Sequence, residues 1–317
     1  MRQHQTSRRA ETGRTHLVLP SHSDRLIRHY VDAALAHNTI RAYRGDLNHF
    51  FAWGGTIPAT ERQVAKYLAQ HATTLAGSTL ARHLAAITRA HRVQGFPSPC
   101  DSELVHATLR GIRRAHGRPI RQVAPLLKEQ LIIMVRGLKG MRGMRDRALL
   151  LIGFSGALRR AELVGLDVED IRFTDHGILL HLERSKTDQE SQGREIAIPW
   201  VRSKHCPGRA LWEWLRLAEI DTGAIFRRVN ALDQVLPQRL SAQSVSLIVK
   251  QRVAAIGLDP SCYAGHSLRA GFVTSATAKG ASPSSIREQT GHKSEAMMQN
   301  YVRHTQRFAH NSNQAIW

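Results

Sequence analysis

Several polar residues in the C-terminal half of the chain have side chains that could act together on a phosphate ester. A tyrosine phenolate can attack phosphorus and form a covalent intermediate, and a planar guanidinium can bind two anionic oxygens at once. An imidazole can donate hydrogen bonds or move protons near neutral pH. The candidate catalytic residues are Arg159, Lys186, His266, Arg269, His292 and Tyr301.

Each of these residues, taken singly, has an ordinary structural explanation. An arginine near a glutamate, such as Arg159 and Glu162, is usually a surface ion pair, and a lysine in a hairpin loop such as Lys186 is usually solvated. A lone histidine is more often part of a hydrogen-bonded structure than a catalyst, and a tyrosine on a helix is more often core. The order and spacing of the six residues therefore carry the argument for function.

That order resembles the tyrosine recombinase, or phage integrase, family. The family's first arginine lies in G-x-R-x-x-E-L, and ALRRAEL places Arg159 three residues before Glu162, with Ala157 at the glycine position. HSLRAGFVT resembles the segment H-x-L-R-H-x-F-x-T, with Ala270 in place of the commoner histidine. IREQTGHKS resembles I-x-x-x-L-G-H, with Thr290 where leucine is usual. The resemblance covers about 125–304.

The resemblance assigns roles to the remaining polar residues. Tyr301 follows His292 at the family's distance and would be the nucleophile. His266 would assist as a general acid or base, His292 would help to hold the phosphate, and Lys186 would protonate the departing 5′-oxygen. No cofactor, metal ion or ATP is expected, because the bond energy is kept in the phosphotyrosine.

Such a reaction also requires that the negative charge around the five-coordinate phosphorus be stabilised. Guanidinium groups suit the negative charge that spreads over its equatorial oxygens, and Arg159 and Arg269 are the candidates. We interpret Glu162 as structural, orienting Arg159 or closing the helix turn.

The activity implied is site-specific DNA strand exchange through a covalent 3′-phosphotyrosine and a Holliday junction. The expected partners are double-stranded DNA carrying a recombination site and further copies of the chain, in a tetramer. A type IB topoisomerase shares the chemistry, and a non-catalytic DNA-binding regulator could keep the fold. A metal-dependent nuclease is a more distant alternative.

Composition points to the same kind of partner. The 317 residues include 45 Lys+Arg and 25 Asp+Glu, for a formal net charge of +20 and a pI near 11.1. Residues 1–123 carry a net +11 and the remainder +9, so both halves are expected to face a polyanion. No signal-peptide pattern and no apolar run of about 18 residues is present. A cytoplasmic, nucleoid-associated protein without a membrane partner is therefore expected.

Periodicity predicts a mainly α fold with a small β-sheet. Helical patterns occupy most of 38–116, recur after residue 128, and are interrupted by two β-prone segments, 177–183 and 195–200, that suggest a hairpin or a small sheet with a long loop. The resemblance implies a helical SAM-like core-binding domain and a mixed α/β catalytic domain. The predicted divisions are a flexible basic arm 1–22, core-binding domain 23–116, linker 117–125, catalytic domain 126–304 and tail 305–317, which could dock on a neighbouring protomer.

The helical domain should also present a basic surface. In the first predicted helix, Ile40, Tyr43, Leu47 and Phe50 form one apolar stripe, and the arginines of this helix lie mostly away from it. Similar patterns occur in the third and fourth helices. The predicted DNA-binding residues are Arg41, Arg44, Arg82, Arg89, Arg110, Arg113 and Arg114.

Overall fold

The structure is a computed structural model that describes residues 26, 30, 37–117, 123–182 and 193–291. The chain divides into two compact units, Met1–Ile120 and Arg121–Trp317. The predicted arm and tail lie outside the described residues. The same holds for three predicted catalytic residues, Lys186, His292 and Tyr301.

Within residues 37–117 the first unit consists of α-helices and one short 3₁₀ turn. The helices are α1 (His37–Ala52), α2 (Glu61–Gln70), α3 (Gly77–Val93) and α4 (Glu103–His116). Thr60 begins α2, because its hydroxyl accepts a hydrogen bond from the backbone N–H of Gln63 at 3.2 Å. Phe50 and Leu80 are fully buried in the apolar interior, while Leu47 of the predicted stripe is only partly buried. The predicted helices are confirmed.

A chain of polar groups also runs through this interior. The Tyr67 hydroxyl contacts His49 Nδ1 at 2.8 Å and His83 Nδ1 at 2.5 Å, and His83 Nε2 lies 3.0 Å from a carboxylate oxygen of Asp46. Arg82 donates two hydrogen bonds to the same carboxylate, at 2.8 and 2.9 Å. Burial, and then the charge of Asp46, raises the pKa of Tyr67 to about 12, so its hydroxyl remains a donor.

This network makes the stability of the helical unit depend on pH. Burial lowers the pKa of His83; Asp46 opposes this effect, and His49, Arg82 and His71 add to it. The pKa of His71 is also lowered, first by burial and then by His49. The unfolded chain therefore takes up protons near pH 6.5, where these folded imidazoles remain neutral. We expect the free energy of unfolding to be highest above pH 6.5 and to fall as the pH drops below it.

Urea titrations of the full chain between pH 5 and pH 8 would measure this effect. The variant His71→Gln/His83→Gln should show a shallower pH dependence than the wild-type chain. A free energy of unfolding that rises on acidification would contradict the expectation.

The described part of the second unit is mixed α/β. Its helices are α5 (Lys128–Val135), α6 (Gly140–Ser155), α7 (Arg160–Gly165), α8 (Pro207–Leu217), α9 (Ala242–Ala255), α10 (His266–Ala278) and α11 (Pro283–Thr290). Its strands are β1 (Ile171–Thr174), β2 (Gly177–Leu182), β3 (Arg194–Pro199), β4 (Arg227–Val229) and β5 (Val235–Arg239).

The strands form two small antiparallel sheets. The order in the first is β1-β2-β3, and β2 pairs with β3 from Gly177↔Pro199 to Leu182↔Arg194, which confirms the predicted hairpin. The sequence did not predict β1 or the pair β4-β5. A core that includes Leu149, Trp214 and Leu268, all buried, joins the helices to the sheets.

Among the described helices, none combines the length and the apolar character needed to cross a membrane.

Candidate active site

Arg159 lies at the start of α7, where Glu162 holds it by both its backbone and its side chain. One carboxylate oxygen of Glu162 accepts a hydrogen bond from the Arg159 backbone N–H at 2.8 Å, and the other accepts one from Arg159 Nη1 at 2.5 Å. Glu162 is buried, whereas Arg159 keeps about a fifth of its side-chain surface exposed, at 21%. Glu162 therefore both orients Arg159 and closes the first turn, as interpreted from the sequence.

Arg269 of α10 is buried and contacts the backbone just before Arg159. Only 1% of Arg269 is exposed, and its Nη1 donates a hydrogen bond to the Ala157 carbonyl oxygen at 2.7 Å. The backbone of Ala157 is left-handed, with φ of 47°. This conformation explains why glycine suits the position, since glycine adopts a positive φ without steric conflict.

Two substitutions at Ala157 should separate backbone strain from side-chain loss. Ala157→Gly should change the free energy of unfolding little, because relief of left-handed strain offsets the lost methyl burial and the greater freedom of the unfolded chain. Ala157→Val should lower it by at least about 2 kcal/mol, because a branched side chain adds strain and overpacks a fully buried position. Urea denaturation of both variants checks this; equal stabilities would contradict it.

His266 is the first residue of α10 and is exposed to solvent. The protein atoms around its ring, followed by the positive charges of Arg269 and Arg159, lower its pKa. Solvent access weakens the desolvation effect, but both arginines act in the same direction. The imidazole is therefore neutral at neutral pH and can accept a proton, and a bound phosphate would favour its protonated form.

The neighbouring Arg160 has a different environment. Its Nη1 donates to the Ser246 hydroxyl at 3.3 Å, and the same hydroxyl accepts a hydrogen bond from the backbone N–H of Gly265 at 3.3 Å. Arg160 therefore helps to fix the start of α10, whereas Arg159 bonds to Glu162. Counting back from Glu162 in the sequence had also selected Arg159.

Two residues that differ from the family motifs, Ala270 and Thr290, fit their buried positions. Ala270 is 2% exposed and leaves no polar group to satisfy. Thr290 is fully buried, and its hydroxyl donates to the Ile286 carbonyl oxygen one turn earlier, at 2.8 Å. Neither substitution disturbs the described part of the site.

The structure thus brings together Arg159, His266 and Arg269 of the six predicted catalytic residues. It also adds two residues that sequence reasoning missed. Gln289 of α11 donates through Nε2 to the carbonyl oxygens of Ser155, at 2.8 Å, and Ala197, at 3.3 Å. Arg194 begins β3 beside Glu162; its only sequence signal was its place after the loop that contains Lys186.

The arginines predicted to bind DNA have varied environments in the helical unit. Arg82 is paired with Asp46, and Arg110 with Glu103 at the surface. Arg89 is half-buried. The other six have exposed side chains, namely Arg41, Arg44, Arg82, Arg110, Arg113 and Arg114.

Across the described residues, no three His, Cys, Asp or Glu side chains are grouped so that they could hold a metal ion. The three cysteines, Cys100, Cys206 and Cys262, are free thiols.

Comparison with known proteins defines the class. Residues 126–307 match the phage integrase family, and residues 25–93 match the phage integrase N-terminal SAM-like domain. An integrase/recombinase XerD homolog of Selenomonas ruminantium is 37% identical over 283 residues, which cover 86% of this chain and 83% of the relative. The recombinase Cre of Escherichia phage P1 is 26% identical, with 78% and 77% covered.

Solved structures show the same fold. The XerH site-specific recombinase bound to a palindromic difH substrate matches with a TM-score of 0.61 at 17% identity, covering 87% of this chain and 78% of that one. A lambda integrase dimer bound to a COC′ core site matches with a TM-score of 0.58 at 20% identity, covering 88% and 93%. The chain belongs to the phage integrase family and is a tyrosine-type site-specific recombinase. The relatives favour this function over a topoisomerase or a non-catalytic regulator.

Proposed function

We propose that this recombinase cleaves DNA through Tyr301 and rejoins it without a metal ion or ATP. The Tyr301 oxygen forms a bond to phosphorus as the bond to the 5′-oxygen breaks, which leaves a 3′-phosphotyrosine. The proton of the phenol passes to a base, His266 in this proposal, and Lys186 donates a proton to the departing 5′-oxygen. Reversal of these steps with a 5′-hydroxyl of the partner duplex exchanges the strands and forms a Holliday junction.

One observation carries this proposal, namely the geometry around the turn at Ala157. Arg269 donates to the carbonyl of that turn, Arg159 follows it two residues later, and both arginines lower the pKa of His266. The guanidinium groups of Arg159 and Arg269 and the neutral imidazole of His266 thus lie close to one another beside this turn. The buried carboxylate of Glu162 orients Arg159. Such a site suits a phosphodiester anion and its more highly charged transition state. His292 would add a hydrogen bond to the same phosphate.

The proposed substrate is duplex DNA with a specific recombination site, bound by a tetramer. The net charge of +20 supports a polyanionic partner, and lambda integrase has been solved as a tetramer bound to a Holliday junction. In this proposal, the seven arginines predicted to bind DNA mainly contact phosphates, and the reaction takes place at the nucleoid in the cytoplasm.

The domain roles are part of the same proposal. Residues 23–116 would bind the core of the site, 126–304 would carry out cleavage, and 117–125 would link them. The arm 1–22 could touch DNA, and the tail 305–317 would dock on a neighbouring protomer through its apolar residues, so that the active sites are coupled.

Trapping on nicked DNA tests the central claim. A substrate nicked next to the cleavage site should give a covalent protein–DNA complex that persists in excess EDTA and is lost in Tyr301→Phe. The control variant Tyr43→Phe should form the complex at the wild-type rate. A complex that survives in Tyr301→Phe would overturn the assignment of the nucleophile. Plasmid relaxation without strand exchange would favour a topoisomerase.

A further inference from the structure

Arg194 occupies a position between three segments of the candidate site. It is the first residue of β3 and pairs with Leu182 across the hairpin. Its Nη1 donates to the Gln289 carbonyl oxygen near the end of α11 at 3.3 Å, and its Nη2 lies 3.7 Å from a carboxylate oxygen of Glu162. One guanidinium thus contacts both the residue that orients Arg159 and the last turn of α11.

The contact with α11 extends to the residue that ends it. Gly291 has a left-handed backbone with φ of 65°, and its N–H donates to the Arg287 carbonyl oxygen at 2.7 Å. A methyl group added to Gly291 would collide with the Arg194 guanidinium and would lie 2.9 Å from its Cζ. The next residue in the chain is His292. Arg194 therefore packs directly against the turn that precedes a predicted catalytic histidine.

The environment of Arg194 does not favour stability. Its side chain is 18% exposed, and its Nε and Nη2 are buried and have no hydrogen-bond partner among the residues that the structure describes. Burial lowers its pKa, an effect that Glu162 opposes and Arg159 reinforces. A buried and incompletely hydrogen-bonded charge destabilises a fold relative to an apolar side chain of similar size. A function is therefore the better explanation for a guanidinium at this position.

We propose that Arg194 is a positioning residue for DNA cleavage. It fixes the position of Glu162, and through it that of Arg159, relative to the turn at Gly291 that leads to His292. This inference rests on the proposed cleavage function. Loss of Arg194 would remove one of the contacts of the carboxylate that orients Arg159 and would open space beside Gly291. Small displacements of groups that must meet one phosphate reduce the rate of the chemical step more than they reduce DNA affinity.

The first test compares Arg194→Ala and Arg194→Lys with a matched control in the full chain. Arg172→Ala removes an arginine of the same sheet whose pair with Glu195 is exposed. For Arg194→Ala we expect single-turnover formation of the covalent complex on nicked DNA to slow by about 10²-fold, with an unchanged Kd for DNA. Arg194→Lys should recover only part of the rate, because one ammonium cannot span both Glu162 and Gln289. Arg172→Ala should behave as wild type.

The second test uses the packing of Gly291 against Arg194. In the wild-type background, Gly291→Ala forces a side chain into a left-handed backbone and also displaces the guanidinium. In the Arg194→Ala background only the backbone effect remains. The loss of cleavage rate caused by Gly291→Ala should therefore be smaller in the double variant than additivity predicts, and the same non-additivity should appear in urea denaturation.

The outcomes separate this inference from the proposed function. If wild type and Arg172→Ala form the Tyr301-dependent complex and Arg194→Ala forms it equally fast, the positioning role is wrong and the function stands. An increase in Kd that accounts for the whole loss of rate would also overturn it, as would additive effects in the Arg194/Gly291 cycle. If wild type forms no such complex, the proposed function fails, and the denaturation cycle still decides the packing of Arg194 against Gly291.

Discussion

Replacing Arg269 by lysine should lower the single-turnover rate of DNA cleavage by about 10²–10³-fold while the protein remains folded. Arg269 is 1% exposed and already donates one hydrogen bond to the Ala157 carbonyl. Its planar fork can hold that carbonyl and present other N–H groups to a phosphate in a fixed direction. Lysine keeps the positive charge but lacks this fork. The rate of covalent-complex formation on nicked DNA measures the effect.

A second substitution at the same position separates charge from geometry. Arg269→Gln removes the positive charge that helps to lower the pKa of His266, so this pKa should rise towards its ordinary value. In Arg269→Lys the charge remains, and the pKa should stay low. Titration of the His266 ring by NMR distinguishes the two variants, and an equal pKa in both would contradict the electrostatic argument.

Arg209→Lys is the matched control for Arg269. Arg209 is an exposed arginine of α8 whose Nη2 also donates to a backbone carbonyl, that of Val201, at 2.8 Å. Because this hydrogen bond lies at the surface, its loss should leave the cleavage rate unchanged. A loss of rate in Arg209→Lys as large as that in Arg269→Lys would show that the effect at Arg269 is not specific to the site.

Replacing Asp146 by alanine should lower the free energy of unfolding by about 3–5 kcal/mol. Asp146 is 1% exposed and accepts hydrogen bonds from Arg145 at 2.6 and 3.0 Å and from Arg252 at 2.5 and 3.1 Å. These contacts join α6 to α9. Without the carboxylate, two largely buried guanidinium groups would lack their counter-charge.

Glu213→Ala provides the comparison for Asp146→Ala. Glu213 pairs with Arg147 at 3.1 Å, but its side chain is 36% exposed, and such pairs contribute about 0–1 kcal/mol. Urea denaturation of both variants gives the difference directly. Similar losses would indicate that burial does not determine the contribution of the Asp146 pairs.

Part of this protein could be predicted from the sequence because the relevant information is local. Apolar periodicity predicted the helices, and two β-prone segments predicted the pairing of β2 with β3. The spacing of Arg159, Glu162, His266 and Arg269 indicated the family. The strands β1, β4 and β5 were missed because they are short and lack a clear alternation, although each pairs with a strand close to it in the sequence.

The tertiary structure decided which of these groups meet and in what state. Counting back from Glu162 selected Arg159 of the two adjacent arginines, but only the fold shows how the two side chains bond and that Arg160 turns to Ser246. The pKa of His266 depends on the protein atoms around its ring, on Arg269 of the same helix and on Arg159 from another segment. The place of Arg194 depends on the meeting of β3, α7 and the end of α11. Residue types and spacing therefore determined the class of chemistry, whereas long-range packing determined the orientation, burial and charge of the groups proposed to perform it.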